Sequence, residues 1–175
     1  MSEITLVTGG ARSGKSALAE QLTKRFGAAC IYVATAEPHD DEMRARIAEH
    51  QARRGPEWTT YLAPLDLVGT LKETDTGPRL VDCLTLWLSN LMLGEHDWRE
   101  ASASLVDCLK AQTSPVVIVT NEVGAGIVPD TALARRYRDA AGWLNQQVAA
   151  AADEVYLSVS GCPVRIKPSD TISNF

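Results

Sequence analysis

Gly9-Gly10-Ala11-Arg12-Ser13-Gly14-Lys15-Ser16 is the stretch whose reading decides the fold of this 175-residue chain. It fits the phosphate-loop pattern G-x-x-x-x-G-K-[ST] at every fixed position. Ile4-Thr5-Leu6-Val7-Thr8 precedes it, a short β-branched and apolar run that reads as a buried parallel strand. Ala17 to Phe26 follows, with Leu18, Leu22 and Phe26 four residues apart on one helical face. Strand, glycine-rich loop and helix in that order are the context that makes the motif a phosphate site.

The residue types explain the chemistry. Glycines let the backbone curl so that several N–H groups converge, and the start of the next helix adds positive potential. Residues Gly9, Gly10, Ala11, Arg12, Ser13, Gly14, Lys15 and Ser16 are therefore expected to hold the phosphates of ATP or GTP. Lys15 would reach the β- and γ-phosphates, and the Ser16 hydroxyl would take Mg²⁺.

Composition sets limits on everything else. A length of 175 residues, 45% apolar and 22% charged, suits one soluble domain with a sizeable core. The net charge of −5 argues against a general nucleic-acid surface. Cys30, Cys83, Cys108 and Cys162 are widely spaced, with no C-x-x-C pair to suggest zinc. No apolar run approaches the length of a membrane span, and with Ile4 opening the first strand no signal peptide is expected. The expected location is cytoplasmic, with reduced thiols.

Outward from the loop, strand-like and helix-like runs alternate. Cys30 to Thr35, Trp58 to Leu62, Arg79 to Leu84, Pro115 to Thr120 and Glu154 to Ser160 read as strands, and Val164 to Ile166 as an edge hairpin strand. Pro64 to Glu73, Leu84 to Leu93, Asp97 to Gln112 and Thr131 to Ala152 read as helices, the last capped by Asp130 and with Leu133, Tyr137, Leu144 and Val148 on its core stripe. This is the pattern of an α/β, single-domain P-loop fold: a mostly parallel sheet flanked by helices, over residues 1–167, with 168–175 a loose tail.

Three positions outside the loop carry candidate chemistry, each with two readings. His50 lies on a polar helix, residues 41–54, within helical reach of Arg46, Arg53 and Arg54. It is either a surface histidine, or a nucleophile whose arginines keep the imidazole neutral and would stabilise an attached phosphate. Asp82 stands near the end of a strand, where an acid either serves Mg²⁺ and the attacking hydroxyl or caps the next helix. Glu122, in Asn121-Glu122-Val123-Gly124-Ala125-Gly126, either contacts a ligand or satisfies loop amides. A plain small-molecule kinase would use the loop and Asp82 without His50. A GTP-binding switch should carry an Asn-Lys-x-Asp guanine-reading stretch, and the chain has none.

Taken together, the motifs resemble those of the bifunctional adenosylcobinamide kinase/adenosylcobinamide-phosphate guanylyltransferases of cobalamin biosynthesis. The resemblance rests on Leu6 through Ser16, Tyr32-Val33-Ala34-Thr35, Asp41-Glu42-Met43, and Arg46-Ile47 to His50. It continues with Val119-Thr120-Asn121-Glu122-Val123-Gly124, Gly126-Ile127-Val128-Pro129, Ala152 to Leu157 and Val159-Ser160-Gly161. It implies NTP-dependent phosphorylation of adenosylcobinamide, then GMP transfer from GTP through a guanylyl-histidine, which here would be His50. It further implies nucleotide contacts at Val33, Ala34 and Thr35, at Gln51, Ala52, Arg53 and Arg54, and at Asp82, with Mg²⁺ at Ser16 and Asp82. Of the two readings of Glu122 the neighbouring glycines favour the ligand, since they permit close approach, and it is expected to be a substrate contact. Relatives are commonly trimers, and Leu84 to Leu93 with the long C-terminal helix would supply an interface. The chain departs from the family at three points: Glu49 stands where some relatives have a second histidine, Asp82 where glutamate is usual, and Leu62 where a glutamate often follows the tryptophan.

Overall fold

The computed structural model describes residues 3–37 and 54–168. In chain order the elements are β1 (Ile4–Gly9), α1 (Lys15–Lys24), β2 (Cys30–Ala34), β3 (Trp58–Leu62), α2 (Leu67–Glu73), β4 (Arg79–Asp82), α3 (Leu84–Leu93), α4 (Trp98–Ala111), β5 (Val116–Val119), α5 (Ala132–Ala151), β6 (Glu154–Val159) and β7 (Cys162–Lys167). The strands form one seven-stranded sheet in the order β3-β2-β4-β5-β1-β6-β7. Every pairing is parallel except β6 with β7.

Alternation along the strands divides the core in two. Leu6, Val33, Val81 and Ile118 point to one face, where they meet Leu67 of α2, Trp87 of α3, Leu105 of α4 and Leu144 of α5. Val7, Tyr32, Leu80, Val117 and Val119 point to the other, against Ala19 and Leu22 of α1. Central strands buried on both faces explain the unbroken run Val116-Val117-Ile118-Val119. A fully buried leucine or tryptophan in such a core is worth about 2–5 kcal/mol against alanine.

Three details differ from the sequence expectation. The cap of α5 is Thr131, whose hydroxyl accepts from the Ala134 amide at 3.2 Å, rather than Asp130. On the same helix Leu133 is 46% exposed, while Ala140, Ala141, Leu144 and Val148 are buried. Leu133 shares their stripe but lies in the first turn, where the helix overruns the core. The edge strand is also longer than Val164 to Ile166. The turn before it consists only of Ser160 and Gly161, at φ +52° and +80°. Positive φ at both residues suits a tight hairpin turn, so Cys162 and Pro163 already pair with β6. Pro163 is tolerated because β7 is the outermost strand.

Candidate functional site

The phosphate loop lies between β1 and α1, at the C-terminal edge of the sheet. Its glycines are required by close approach. Gly9 has φ +152°, and a Cβ there would stand 2.4 Å from the Ser158 carbonyl oxygen of β6. Gly14, the N-cap of α1, has φ +94°, with the Gly161 Cα only 3.1 Å from where its Cβ would be. The β6–β7 turn therefore braces the loop from below. The Ser158 hydroxyl and the Gly161 amide both donate to the Ser13 carbonyl, at 2.7 and 2.9 Å.

Within the loop, Lys15 is 8% exposed and its Nζ donates to the Gly10 carbonyl at 2.7 Å. The Ser13 hydroxyl is buried and has no hydrogen-bond partner among the described residues. A buried polar atom left unpaired in a native structure calls for an explanation, and a ligand oxygen supplies one here. Arg12, at φ +54°, is held in the left-handed region at the tip of the same loop. Ser16 stands in the first turn of α1, half-buried, directly after Lys15.

The strand register lines up further candidates at this edge. Leu62, Ala34, Asp82, Val119 and Val7 form one row across β3, β2, β4, β5 and β1. Residues in one row point to one face, so Asp82 shares the α1 face with the phosphate loop. Asp82 does not cap α3. The N-cap is Cys83, with no side-chain bond, and Asp82 Oδ2 instead accepts from the Tyr32 hydroxyl at 3.1 Å. Burial above all, then the Asp82 charge, pushes the Tyr32 phenol well above its ordinary range, against the opposing pull of Arg54. Tyr32 therefore stays a neutral donor.

Among Val33, Ala34 and Thr35, only Ala34 is partly exposed; Val33 and Thr35 are fully buried. Thr35 clasps the end of β4: its hydroxyl donates to the Cys83 carbonyl and accepts from the Cys83 amide, each at 2.7 Å. Asn90 of α3 donates from Nδ2 to the Thr35 carbonyl at 2.9 Å and to the Pro64 carbonyl at 3.0 Å, tying α3 across the strand ends.

The loop after β5 is anchored on three sides. The Glu122 amide donates to the Gly9 carbonyl at 3.0 Å, which puts Glu122 beside the phosphate loop. Asn121 donates from its amide and its Nδ2 to the Thr85 hydroxyl, and its carbonyl accepts from Asn145 Nδ2. Glu122 is exposed, and its Oε1 accepts from the Gly124 amide at 2.6 Å. Leu62, at the end of the edge strand, is 73% exposed.

Arg54 opens the second described segment. Its guanidinium lies 3.5 Å from the centre of the Tyr32 ring, and its Nη1 is buried without a partner among the described residues. His50, Gln51, Ala52 and Arg53, all singled out in the sequence, lie outside the described residues, as do positions 41–53 of the helix expected over 41–54. The geometry adds Tyr32, Ser158 and Gly161 to the site. Two of them carried a sequence signal, Tyr32 as the first residue of Tyr32-Val33-Ala34-Thr35 and Gly161 as a glycine between two strand patterns. A separate groove of about 700 Å³ runs between α3, α4 and α5, lined by Met92, Trp98, Leu133 and Trp143 among others, with no residue of the phosphate loop.

Known proteins resemble this chain closely. The family model described as cobinamide kinase / cobinamide phosphate guanyltransferase matches residues 5–166. The bifunctional adenosylcobalamin biosynthesis protein CobP of Pseudomonas aeruginosa is 46% identical over 166 residues, covering 93% of this chain and 96% of its own. The bifunctional adenosylcobalamin biosynthesis proteins CobU of Salmonella typhimurium and Escherichia coli are 44% and 42% identical, each over 93% of this chain and 98% of theirs. Among solved structures, the P4 protein from bacteriophage phi6 in complex with ADP is a distant likeness, at 18% identity and a TM-score of 0.48 over 93% of this chain and 54% of that one.

Proposed function

The chain belongs to the cobinamide kinase / cobinamide phosphate guanyltransferase family, and from that premise we propose how it divides the two reactions among its residues. It carries both activities. A nucleoside triphosphate phosphorylates the aminopropanol hydroxyl of adenosylcobinamide. GTP then gives GMP to that phosphate, forming adenosylcobinamide-GDP and releasing pyrophosphate.

Gly9 to Ser16 hold the triphosphate of ATP or GTP. The observation that carries this reading is the loop itself: glycines where a Cβ would strike Ser158 and Gly161, and a buried Ser13 hydroxyl without a partner. Ala34 is the exposed member of the β2 end. Val33 and Thr35 support it from within, Thr35 by fixing Cys83 beside Asp82. Arg54, with Gln51, Ala52 and Arg53, contacts the nucleotide, and Glu122, anchored to Gly9, faces the acceptor. Mg²⁺ suits the oxygen donors Ser16 and Asp82, because it takes few protein ligands and completes its shell with phosphates and water. Bound there, it would neutralise charge on the phosphates.

His50 is the guanylylated residue. Its imidazole attacks the α-phosphate of GTP, forming the P–N bond as the Pα–O bond to pyrophosphate breaks. A phosphate oxygen of the acceptor then attacks the same phosphorus and frees the imidazole. Covalent catalysis of this kind replaces one hard displacement with two easier ones. Assembly into a homo-oligomer, a trimer by the family resemblance, is supported by the exposure of Leu93 (66%), Leu133 (46%) and Trp143 (42%) near the end of α3 and along α5. A monomeric mass by light scattering would count against it. The cytoplasm remains our proposed location, and no helix among the described residues is long and apolar enough to cross a membrane.

The deciding experiment is the intact mass after incubation with GTP and Mg²⁺, without cobinamide, for the wild type and His50→Ala. A GMP-sized, acid-labile adduct on the wild type alone supports the reading. An adduct that survives in His50→Ala overturns the histidine assignment. No adduct on either, with ATP-dependent phosphorylation of adenosylcobinamide intact, reduces the chain to a kinase.

A further inference from the structure

Tyr32 is a buried polar side chain that neither the phosphate-loop motif nor the proposed reaction uses. It sits on β2, 5% exposed, on the face covered by α1. Three groups hold it. Its hydroxyl donates to Asp82 Oδ2 at 3.1 Å. The Arg54 guanidinium lies over its ring, 3.5 Å from the centre. Trp58 of β3 meets the ring edge-on, with centroids 6.3 Å apart and planes at 84°.

A phenylalanine would fill the same volume, so packing alone does not account for the hydroxyl. Nor is the hydroxyl satisfied by an adjacent backbone carbonyl. It reaches two positions along the sheet to a carboxylate at the strand end. The charges matter as well. Arg54 and Asp82 are opposite in sign and contact the same side chain, yet they form no ion pair with each other. A direct arginine–carboxylate pair would be bidentate and would occupy both groups. Tyr32 contacts Arg54 through its face and Asp82 through its hydroxyl, so each group stays fixed and each keeps hydrogen-bonding capacity. Arg54 Nη1 is the visible remainder, buried and without a partner among the described residues.

We infer that Tyr32 is a positioning residue that holds Arg54 and Asp82 apart across the nucleotide site. The ring face fixes the cation that meets the phosphates, and the hydroxyl fixes the anion on the metal side. This rests on the reading of Arg54 as a nucleotide contact and Asp82 as a Mg²⁺ residue. In this role Tyr32 acts through Arg54 and Asp82 rather than on the nucleotide itself.

The test separates the two ends of the tyrosine by binding rather than turnover. GTP with a methylene bridge between its α- and β-phosphates, which His50 cannot cleave, is titrated calorimetrically into the wild type, Tyr32→Phe, Tyr32→Leu and Asp82→Asn, once with Mg²⁺ and once with EDTA. Tyr32→Phe keeps the ring and loses the hydroxyl. Its affinity in EDTA should stay within about twofold of wild type, while the gain in affinity from Mg²⁺ should fall about three- to tenfold, the size of one lost hydrogen bond. Tyr32→Leu loses the ring as well, so its affinity should fall in both conditions. Melting curves identify any variant that does not fold, and Tyr32→Phe carries the test if Tyr32→Leu fails. A full Mg²⁺ gain in Tyr32→Phe, with the gain lost in Asp82→Asn, overturns the inference and leaves the metal reading standing. A full gain in Asp82→Asn overturns both.

Discussion

Ser158 of β6 and Ser13 of the phosphate loop are joined across the sheet edge by a 2.7 Å hydrogen bond, the Ser158 hydroxyl donating to the Ser13 carbonyl. The donor is 2% exposed, so no water replaces it when it is removed. Ser158→Ala leaves the carbonyl to the Gly161 amide alone. The loss should be about 1 kcal/mol of stability, or a few degrees in Tm. GTP affinity should drop severalfold, because the Ser13 carbonyl sets the orientation of the amides that follow it. Thermal melts with and without GTP check both, and an unchanged GTP-induced shift in Tm would show that the hairpin does not support the loop.

Gly9 and Gly10 are adjacent in the motif, yet they should respond differently to alanine. A Cβ on Gly9 meets the Ser158 carbonyl oxygen at 2.4 Å and Ser13 Oγ at 2.7 Å, and Gly9 stands at φ +152°. A backbone oxygen in a central strand pair cannot swing aside as a side chain would. Gly9→Ala should lower stability by about 2 kcal/mol or more and abolish nucleotide binding. A Cβ on Gly10 meets nothing within 4 Å. Gly10→Ala should leave the melting temperature of the nucleotide-free protein close to wild type. Equal effects at the two positions would contradict this loop geometry.

Arg79 begins β4 with its side chain fully buried, and among the described residues Asp75 is its only ion-pair partner, at 2.9 Å. The guanidinium also donates to the Leu71 and Ser114 carbonyls and to Gln112 Oε1. Burial pushes the Asp75 carboxyl up. The amides of Thr113 and Ser114, the Thr113 hydroxyl and Arg79 outweigh it and hold the group below its usual range. A depressed native pKa means stability that is complete above the ordinary carboxylate value of about 3.9 and is lost as pH falls through the native value. Asp75→Asn should therefore cost about 2 kcal/mol at neutral pH. The gap to wild type should begin to close below about pH 4. Urea melts across that range measure it, and a gap that is constant with pH would remove the charge from the explanation.

Much of this was legible in the sequence because local rules and the fold agree. The phosphate loop, the buried run Val116-Val117-Ile118-Val119 and the Asp97-capped helix α4 each carry their signal within a few neighbouring residues. Asp82 was visible as an acid at a strand end, but its alternatives were not separable there. Whether it caps α3 depends on how the chain turns at Cys83, and whether it meets Tyr32 depends on the pairing of β2 with β4. Ser158 and Ser13 are 145 residues apart, so no local pattern joins them. Leu133 shows the converse failure: it keeps the helical spacing of the core stripe, but spacing does not tell where the core ends.

The chain's four cysteines should divide by burial. Cys30, Cys83 and Cys108 are buried, and Cys162, the first residue of β7, is exposed. Burial is the main cause that raises the thiol pKa at all three buried sites, and Cys83, with the Asp82 charge adding to it, is pushed up to about 11. The thiolate is the reactive form, so both access and ionisation protect these positions. Iodoacetamide at pH 8 should add one label to the native chain, at Cys162, and four labels after denaturation in guanidinium. Peptide mass spectrometry locates the native label. Rapid modification of Cys83 in the native protein would mean that the end of β4 opens to solvent, and the clasp formed by Thr35 would then have to be weaker than its two 2.7 Å hydrogen bonds imply.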